Sequence, residues 1–251
     1  MKIAALYDIH GNLPALNAVL EELNNVQPDL IVIGGDIVSG PMPIETLERL
    51  LQLGDKVRFI RGNGDREVVL AYGGDPLHQM YEKGREKQLW VAKQMKQSHC
   101  DFLSQLPEVI TIHLEDLGDI LFCHATPQSD EHIFTPHTSM QKLTSIFDGV
   151  DQRYVVCGHT HIQFKQQVGI HTVLNSGSVG MPFADQPGAY WLLLSSEGYE
   201  FKRTLYNKEK AAQQITDSAS PHAEEFIETN VFNVLTKAKG MELLENLARR
   251  Q

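Results

Sequence analysis

Short apolar runs and helical stripes alternate from the first residues onward. Residues 2–7 (KIAALY) are an apolar run that predicts a buried strand. Behind Asn12 and Pro14, the residues Leu13, Leu16, Val19, Leu20 and Leu23 recur at helical spacing, which predicts a helix capped at Asn12. A second pair follows. Leu30 to Ile33 reads as a strand stopped by Gly34-Gly35-Asp36, and Pro41 and Pro43 open a helix carrying Ile44, Leu47, Leu50 and Leu51. Lys56 to Ile60 gives a third strand that ends in Arg61-Gly62-Asn63-Gly64-Asp65. Strands and helices in this rhythm predict parallel pairing with right-handed crossovers.

The pattern then changes. Residues 67–106 are polar and helical, with Met80, Leu89, Val91, Met95, Phe102 and Leu106 as apolar positions, and read as an inserted helical lid over a cleft. Val109–Leu114 and Asp119–Cys123, joined at Gly118, predict a hairpin followed by His124 and an irregular stretch, 125–138. A short helix over Met140–Phe147 precedes the strand Arg153–Cys157, which runs into Gly158-His159-Thr160-His161. Strands are expected over 162–168, 170–174, 189–195 and 199–205, and a helical C-terminal extension over 207–251, broken at Ser218–Pro221. The apolar faces of that extension read as cover for a sheet rather than as a dimer interface.

With 251 residues, 42% of them apolar and 22% charged, the chain is large enough to fold as one domain over 1–251. Its longest apolar runs fall far short of the ~20 residues of a membrane span. The run after Lys2 is too short for a secretory leader, so a cytoplasmic protein is expected. Cys100, Cys123 and Cys157 are scattered and form no C-x-x-C pair; Cys123 and Cys157 end strands and read as core. A net charge of −10 without a basic block argues against duplex nucleic acid or an anionic membrane as partner. A phosphate-bearing ligand would need local positive charge, and bound metal ions are one source of it.

Each predicted strand end delivers a metal-ligand side chain: Asp8 and His10, Asp36, Asn63, His124, then His159 and His161. Any one of these alone is an ordinary turn or a satisfied polar residue. Five strand ends of this kind in one chain are not coincidence, because the carboxyl ends of strands in an α/β sheet line a common crevice. Carboxylate, amide oxygen and imidazole without thiolate suit a divalent transition metal rather than a structural zinc knot.

DIHGN at 8–12, GGD at 34–36, RGNGD at 61–65, His124, GHTH at 158–161 and LNSGSVG at 174–180 together resemble the calcineurin-like metallophosphoesterases, specifically their small bacterial and archaeal phosphodiesterase branch. The resemblance spans about residues 1–205 and implies an α/β fold of two mixed β-sheets packed as a sandwich between helices. It assigns Asp8, His10, Asp36 and His161 to one ion, and Asp36, Asn63, His124 and His159 to a second, with Asp36 bridging. Two divalent ions are implied, Mn²⁺ first, with Fe, Co, Ni or Zn as alternatives. The implied nucleophile is a hydroxide shared by the ions, and Asp36, Asn63 and Asp65 form the implied catalytic group. Asn12 and Arg66 adjoin the motifs and are expected to bind phosphate oxygens of a small phosphoester or nucleotide.

One departure bears on the substrate. Where strong phosphomonoesterases of this family carry histidine after the motif asparagine, this chain has Gly64. A phosphodiesterase or nucleotide anhydride hydrolase is therefore expected. A phosphomonoesterase acting on nucleotides or phosphoproteins is the alternative; Gly64→His, with Asp65 in place to orient the ring, is expected to raise the rate on alkyl esters more than on anhydrides. His78, His99, His132 and His137 are the substitutes the chain offers. A non-catalytic scaffold on the same fold needs none of the seven ligands, whereas all seven positions here hold suitable side chains.

Overall fold

The computed structural model describes residues 1–249. In chain order the first half runs β1 (Ile3–Leu6), α1 (Leu13–Val26), β2 (Leu30–Ile33), α2 (Pro43–Leu51), β3 (Val57–Phe59), α3 (Asn63–Tyr72), α4 (Glu82–Gln94), α5 (Gln97–Ser104), β4 (Val109–Leu114) and β5 (Gly118–Cys123). The second half runs α6 (Met140–Ile146), β6 (Tyr154–Cys157), β7 (Phe164–Val168), β8 (His171–Asn175), β9 (Ala189–Ser195), β10 (Gly198–Thr204), α7 (Lys208–Asp217), α8 (Ala223–Ile227) and α9 (Lys237–Ala248). A single π-helical stretch, Glu228–Phe232, follows α8.

Two mixed five-stranded sheets form, in the orders β10-β9-β1-β2-β3 and β4-β5-β6-β8-β7. Parallel pairing of β1 with β2 and of β2 with β3 follows the predicted crossovers. Alternation then decides the layers. Ala5 and Val32 face inward with Phe122, Val156, Leu174 and Leu192, filling the seam between the sheets, while Leu6 and Ile33 face the helices on the first sheet's outer side. The second sheet's outer face packs Val155, Val173 and Phe164 against Leu143 of α6 and Leu244 of α9.

The insert starts earlier than its apolar spacing indicated, because Asn63 is already the first residue of α3. Its apolar side belongs to the core. Val68, Val91, Met95 and Leu103 share one cluster with Leu6, Ile33 and Leu47, so α3–α5 complete the helical layer on the first sheet. The insert approaches the strand ends through the N-terminus of α3 and through Gln88 of α4, whose amide donates to Glu67 at 2.8 Å.

The C-terminal extension spans both layers. Ala211 and Ile215 of α7 cluster with Phe226, Val231 and the half-buried Met181 and Tyr206, while α9 reaches the opposite sheet. Cys123 and Cys157 are buried core residues, as their positions at strand ends implied, and burial pushes both thiols up. Among the described residues no helix is long and apolar enough to cross a membrane.

Candidate metal centre

The carboxyl ends of β1, β2, β5 and β6 and the N-terminus of α3 meet at one rim. Asp8 and His10 follow β1, Asp36 follows β2, Asn63 opens α3, His124 follows β5, and His159 and His161 follow β6. Five of these residues sit in the left-handed backbone region, Asp8 at φ 53°, His10 at 49°, Asp36 at 52°, His159 at 64° and His161 at 59°. Non-glycine residues avoid that region at a cost of about 1–2 kcal/mol each, so a cluster of them marks a site where geometry was kept against backbone preference. The left-handed turn aims each side chain back across the strand ends instead of along them.

Close backbone approach makes the convergence feasible. At Gly35 (φ +92°) a Cβ would lie 2.5 Å from Gly62 N and 2.8 Å from His124 Nδ1, and at Gly62 it would lie 2.3 Å from Asp36 Oδ1. Only glycine fits at either place.

Backbone carbonyls fix the imidazoles. His10 Nδ1 donates to Ser39 O at 3.0 Å, His124 Nδ1 to Gly34 O at 2.8 Å and His159 Nε2 to Glu131 O at 3.1 Å. In each ring the opposite nitrogen is left facing the centre. His10 Nε2 and His161 Nε2 lie 3.1 Å apart, and Asp8 Oδ1, 3.5 Å from His161 Nε2, is buried without a hydrogen-bond partner. On the other side the Asn63 amide stands 3.2 Å from His124 Nε2 and 3.1 Å from His159 Nδ1. With its oxygen inward, the amide oxygen faces both ring nitrogens; a proton on His124 Nε2, an inward-turned NH₂ or a cation between them eases that set.

Asp36 lies between the two groups, with Oδ2 3.5 Å from His10 Nε2 and Oδ1 3.6 Å from His124 Nε2. The backbone N–H of Gly64, in the first turn of α3, donates to Oδ1 at 2.7 Å. Two compact ligand sets result, Asp8 with His10 and His161, and Asp8 with Asp36 and His124, the ligand atoms of each within 4.8 Å of one another. Oxygen and imidazole donors with a buried orphan acceptor fit a borderline divalent cation.

Electrostatics agree. Burial holds His10 down at about 3, with His161 adding to the effect, and burial with help from His124 lowers His159 to about 3, so both rings are neutral and ready to ligate. Burial, reinforced by the Asp8 charge, raises Asp36. For His124, burial alone would lower the pKa, but the Asp36 and Asp8 carboxylates outweigh it and raise the ring above its ordinary value. The two carboxylates thus favour positive charge at this point, which a bound cation would also supply.

Three expected residues point elsewhere. Asp65 is fully buried and accepts backbone N–H groups on both oxygens, Ile37 at 2.8 Å and Val38 at 3.2 Å on one and Gly62 at 3.2 Å on the other. It ties the turn after β2 to the start of α3 and so positions Asp36 and Asn63. Asn12 is also fully buried, accepting from Ala15 N and donating to Gly180 O, which makes it a helix cap rather than a free phosphate ligand. Arg66 forks onto Asp130 at 2.8 and 3.1 Å and onto Glu131, tying α3 to the loop after β5.

The structure also corrects the expectation for Gly64. A Cβ there would lie 2.9 Å from both Asp36 Oδ1 and Ser39 Cβ, so position 64 has no room for a side chain without moving a candidate ligand. Among the substitute histidines, His99 lies in α5 with Nε2 3.8 Å from Glu48, in the helical layer.

Some residues that shape the site escaped the sequence reading. Asn175 is fully buried and donates to Gly158 O at 2.6 Å and Thr160 Oγ1 at 2.9 Å, holding the turn that presents His159 and His161. Ser178 donates to Asp8 O at 2.8 Å. Both stand in LNSGSVG, so the signal was present without its mechanism. Glu67, raised by burial, accepts from the Asn63 amide at 3.5 Å.

The pattern of the calcineurin-like phosphoesterase superfamily domain matches residues 1–198. The chain belongs to the calcineurin-like phosphoesterase superfamily. Divalent-metal binding is a property of this superfamily, and phosphoesters are its substrates. Among relatives of the chain, an uncharacterized protein of Methanocaldococcus jannaschii is 29% identical over 240 residues, covering 87% of this chain and 93% of that one. The phosphodiesterase YfcE of Escherichia coli K12 is 27% identical over 203 residues, covering 77% of this chain and 87% of that one. A hypothetical protein of Pyrococcus horikoshii shares the fold with a TM-score of 0.79 at 21% identity, over 93% of this chain and 98% of that one.

Proposed function

We propose that this calcineurin-like phosphoesterase hydrolyses a phosphodiester or a nucleotide phosphoanhydride at a pair of divalent ions. The observation that carries the reading is the set of bare donor atoms on either side of Asp36. His10 Nε2, His161 Nε2 and Asp8 Oδ1 would hold one ion, Asn63, His124 and His159 the other, and Asp36 would serve both. When bound, such a pair supplies a water of lowered pKa and positive charge for the phosphoryl group. The chain's own part is to keep His10 and His159 neutral, to fix the rings of His10, His124 and His159 through carbonyls, and to hold Asp36 against the N-terminus of α3, where the Gly64 N–H favours its carboxylate.

Gly64 supports the choice among esters. An alkoxide leaving group benefits from a positioned proton donor worth about 10²–10⁴-fold, and no side chain fits at position 64 to provide one. A phosphate leaving group, with a second pKa of about 6, needs little help. The resemblance to an enzyme named a phosphodiesterase points the same way.

A screen of a bis-aryl phosphodiester, an aryl monoester, a dinucleoside polyphosphate and cyclic nucleotides with Mn²⁺ tests the reading, together with Asp36→Asn. We expect hydrolysis of diester or anhydride, lost on chelation and restored by metal. Asp36→Asn should lose at least one ion and reduce turnover by about 10²-fold or more. Two retained ions with more than a few per cent of activity would remove Asp36 from its bridging place.

A further inference from the structure

We propose that a cavity beside His161 is the subsite for the nucleoside end of the substrate. The inference rests on the phosphoester reading above and names the substrate class for it. The cavity, about 390 Å³, opens where the seam between the sheets meets the start of α9, and His161 is part of its wall. One imidazole is therefore common to the candidate metal centre and the cavity. A larger cavity of about 600 Å³, walled by Lys2, Asp29 and Glu197 at the opposite ends of the strands, touches none of the seven candidate ligands.

The wall has the surfaces a nucleobase requires. Phe183, Tyr190 and Phe201 contribute aromatic surface. Phe183 is held in place from two sides. Its ring centroid lies 5.4 Å from that of His161, its N–H donates to His161 O at 3.0 Å, and Gly240 of α9 packs so closely that a Cβ there would sit 2.7 Å from Phe183 Cβ.

Charge supplies the second half. Arg203 and Lys237 both line the cavity, and their hydrogen bonds go to neutral acceptors, Arg203 to the Gln186 side-chain oxygen and Lys237 Nζ to Gln163 O at 3.2 Å. The one carboxylate in the wall, Asp185, accepts from the backbone N–H of Lys237 at 3.3 Å. Two cations with neutral partners, in a chain of net charge −10, face a cavity next to a phosphoester site. A nucleotide would thus set its nucleoside against the aromatic wall and a phosphate of its own within reach of Arg203 and Lys237, with the scissile phosphate beyond it at the metal centre. Lys237 comes from the C-terminal extension, so a segment beyond the matched domain would contribute to substrate choice.

The experiment measures AMP binding to the full chain in chelator by isothermal titration, beside inorganic phosphate, for wild type and Arg203→Gln/Lys237→Gln. AMP should bind wild type more tightly than phosphate does, and the double variant should weaken AMP by about tenfold, the scale of losing two charge-assisted contacts. With Mn²⁺, the variant's preference for diadenosine tetraphosphate over methyl p-nitrophenyl phosphate should fall by a similar factor. No AMP binding, equal binding of AMP and phosphate, or an unchanged double variant would overturn the subsite whatever the hydrolysis shows. Weakened AMP binding in a protein that hydrolyses nothing would leave the cavity standing and overturn the phosphoester reading instead.

Discussion

At the scale of single residues, burial and charge act in opposite directions on the histidines of the candidate centre. His10 and His159 are lowered and so already neutral at pH 7, whereas His124 is raised by Asp36 and Asp8. Metal uptake near neutral pH should therefore release a proton chiefly from His124. The sign follows: as pH falls through the raised pKa of His124, the proton competes better and metal affinity drops. Titrations in buffers of different ionisation enthalpy should show this release in wild type and its loss in His124→Asn; release unchanged in the variant would place the proton elsewhere.

Gly64 carries the second residue-scale expectation. Gly64→Ala places a Cβ against Asp36 Oδ1 and Ser39 Cβ, so it should cost about 10²-fold in activity through a displaced ligand. Gly64→His should lose activity on diesters and alkyl monoesters alike. A gain on alkyl monoesters would show that Ser39 yields and that the imidazole finds the leaving group.

At the scale of elements, the convergence of the candidate ligands on one rim was legible because each motif sits where an apolar run stops, and strand ends in an α/β sheet share a rim. Partners were not. Nothing local to Arg66 shows that Asp130 and Glu131, 64 and 65 residues later, occupy its guanidinium. The start of α3 was hidden because its first turn, Asn63-Gly64-Asp65, reads as a turn; Asp65 and the Gly62 cap make it a helix. The π-helical stretch after α8 left no mark in the apolar spacing. The Arg66 fork fixes the loop whose Glu131 carbonyl orients His159. Arg66→Lys keeps the charge and loses the fork, so it should raise amide hydrogen exchange over 125–138 and lower occupancy at the His124–His159 site. A rise in KM with full metal content would instead return Arg66 to direct substrate binding.

At the scale of the whole molecule, the two sheets bring five strand ends to one rim, and the extension braces both outer layers. Leu243 and Leu247 of α9 stay exposed, whereas Ile215, Phe226, Val231 and Leu244 are buried within the chain. Each such side chain is worth about 1.5–3 kcal/mol when fully buried. Removing residues 207–251 should therefore lower Tm by roughly 10 °C or more, read by differential scanning calorimetry. A shift within a degree or two would mean that the extension is a loose appendage.

The left-handed histidines set the centre against the rest of the fold. His10, His159 and His161 hold backbone angles that glycine adopts freely and asparagine tolerates, and the histidine side chains there serve the site more than the core. In a laboratory selection for heat resistance alone, with no demand for hydrolysis, these three positions should be among the first to drift, toward Gly or Asn. The enzyme's catalytic endowment would be the first thing such a lineage discards, and its survivors would be sturdier for the loss.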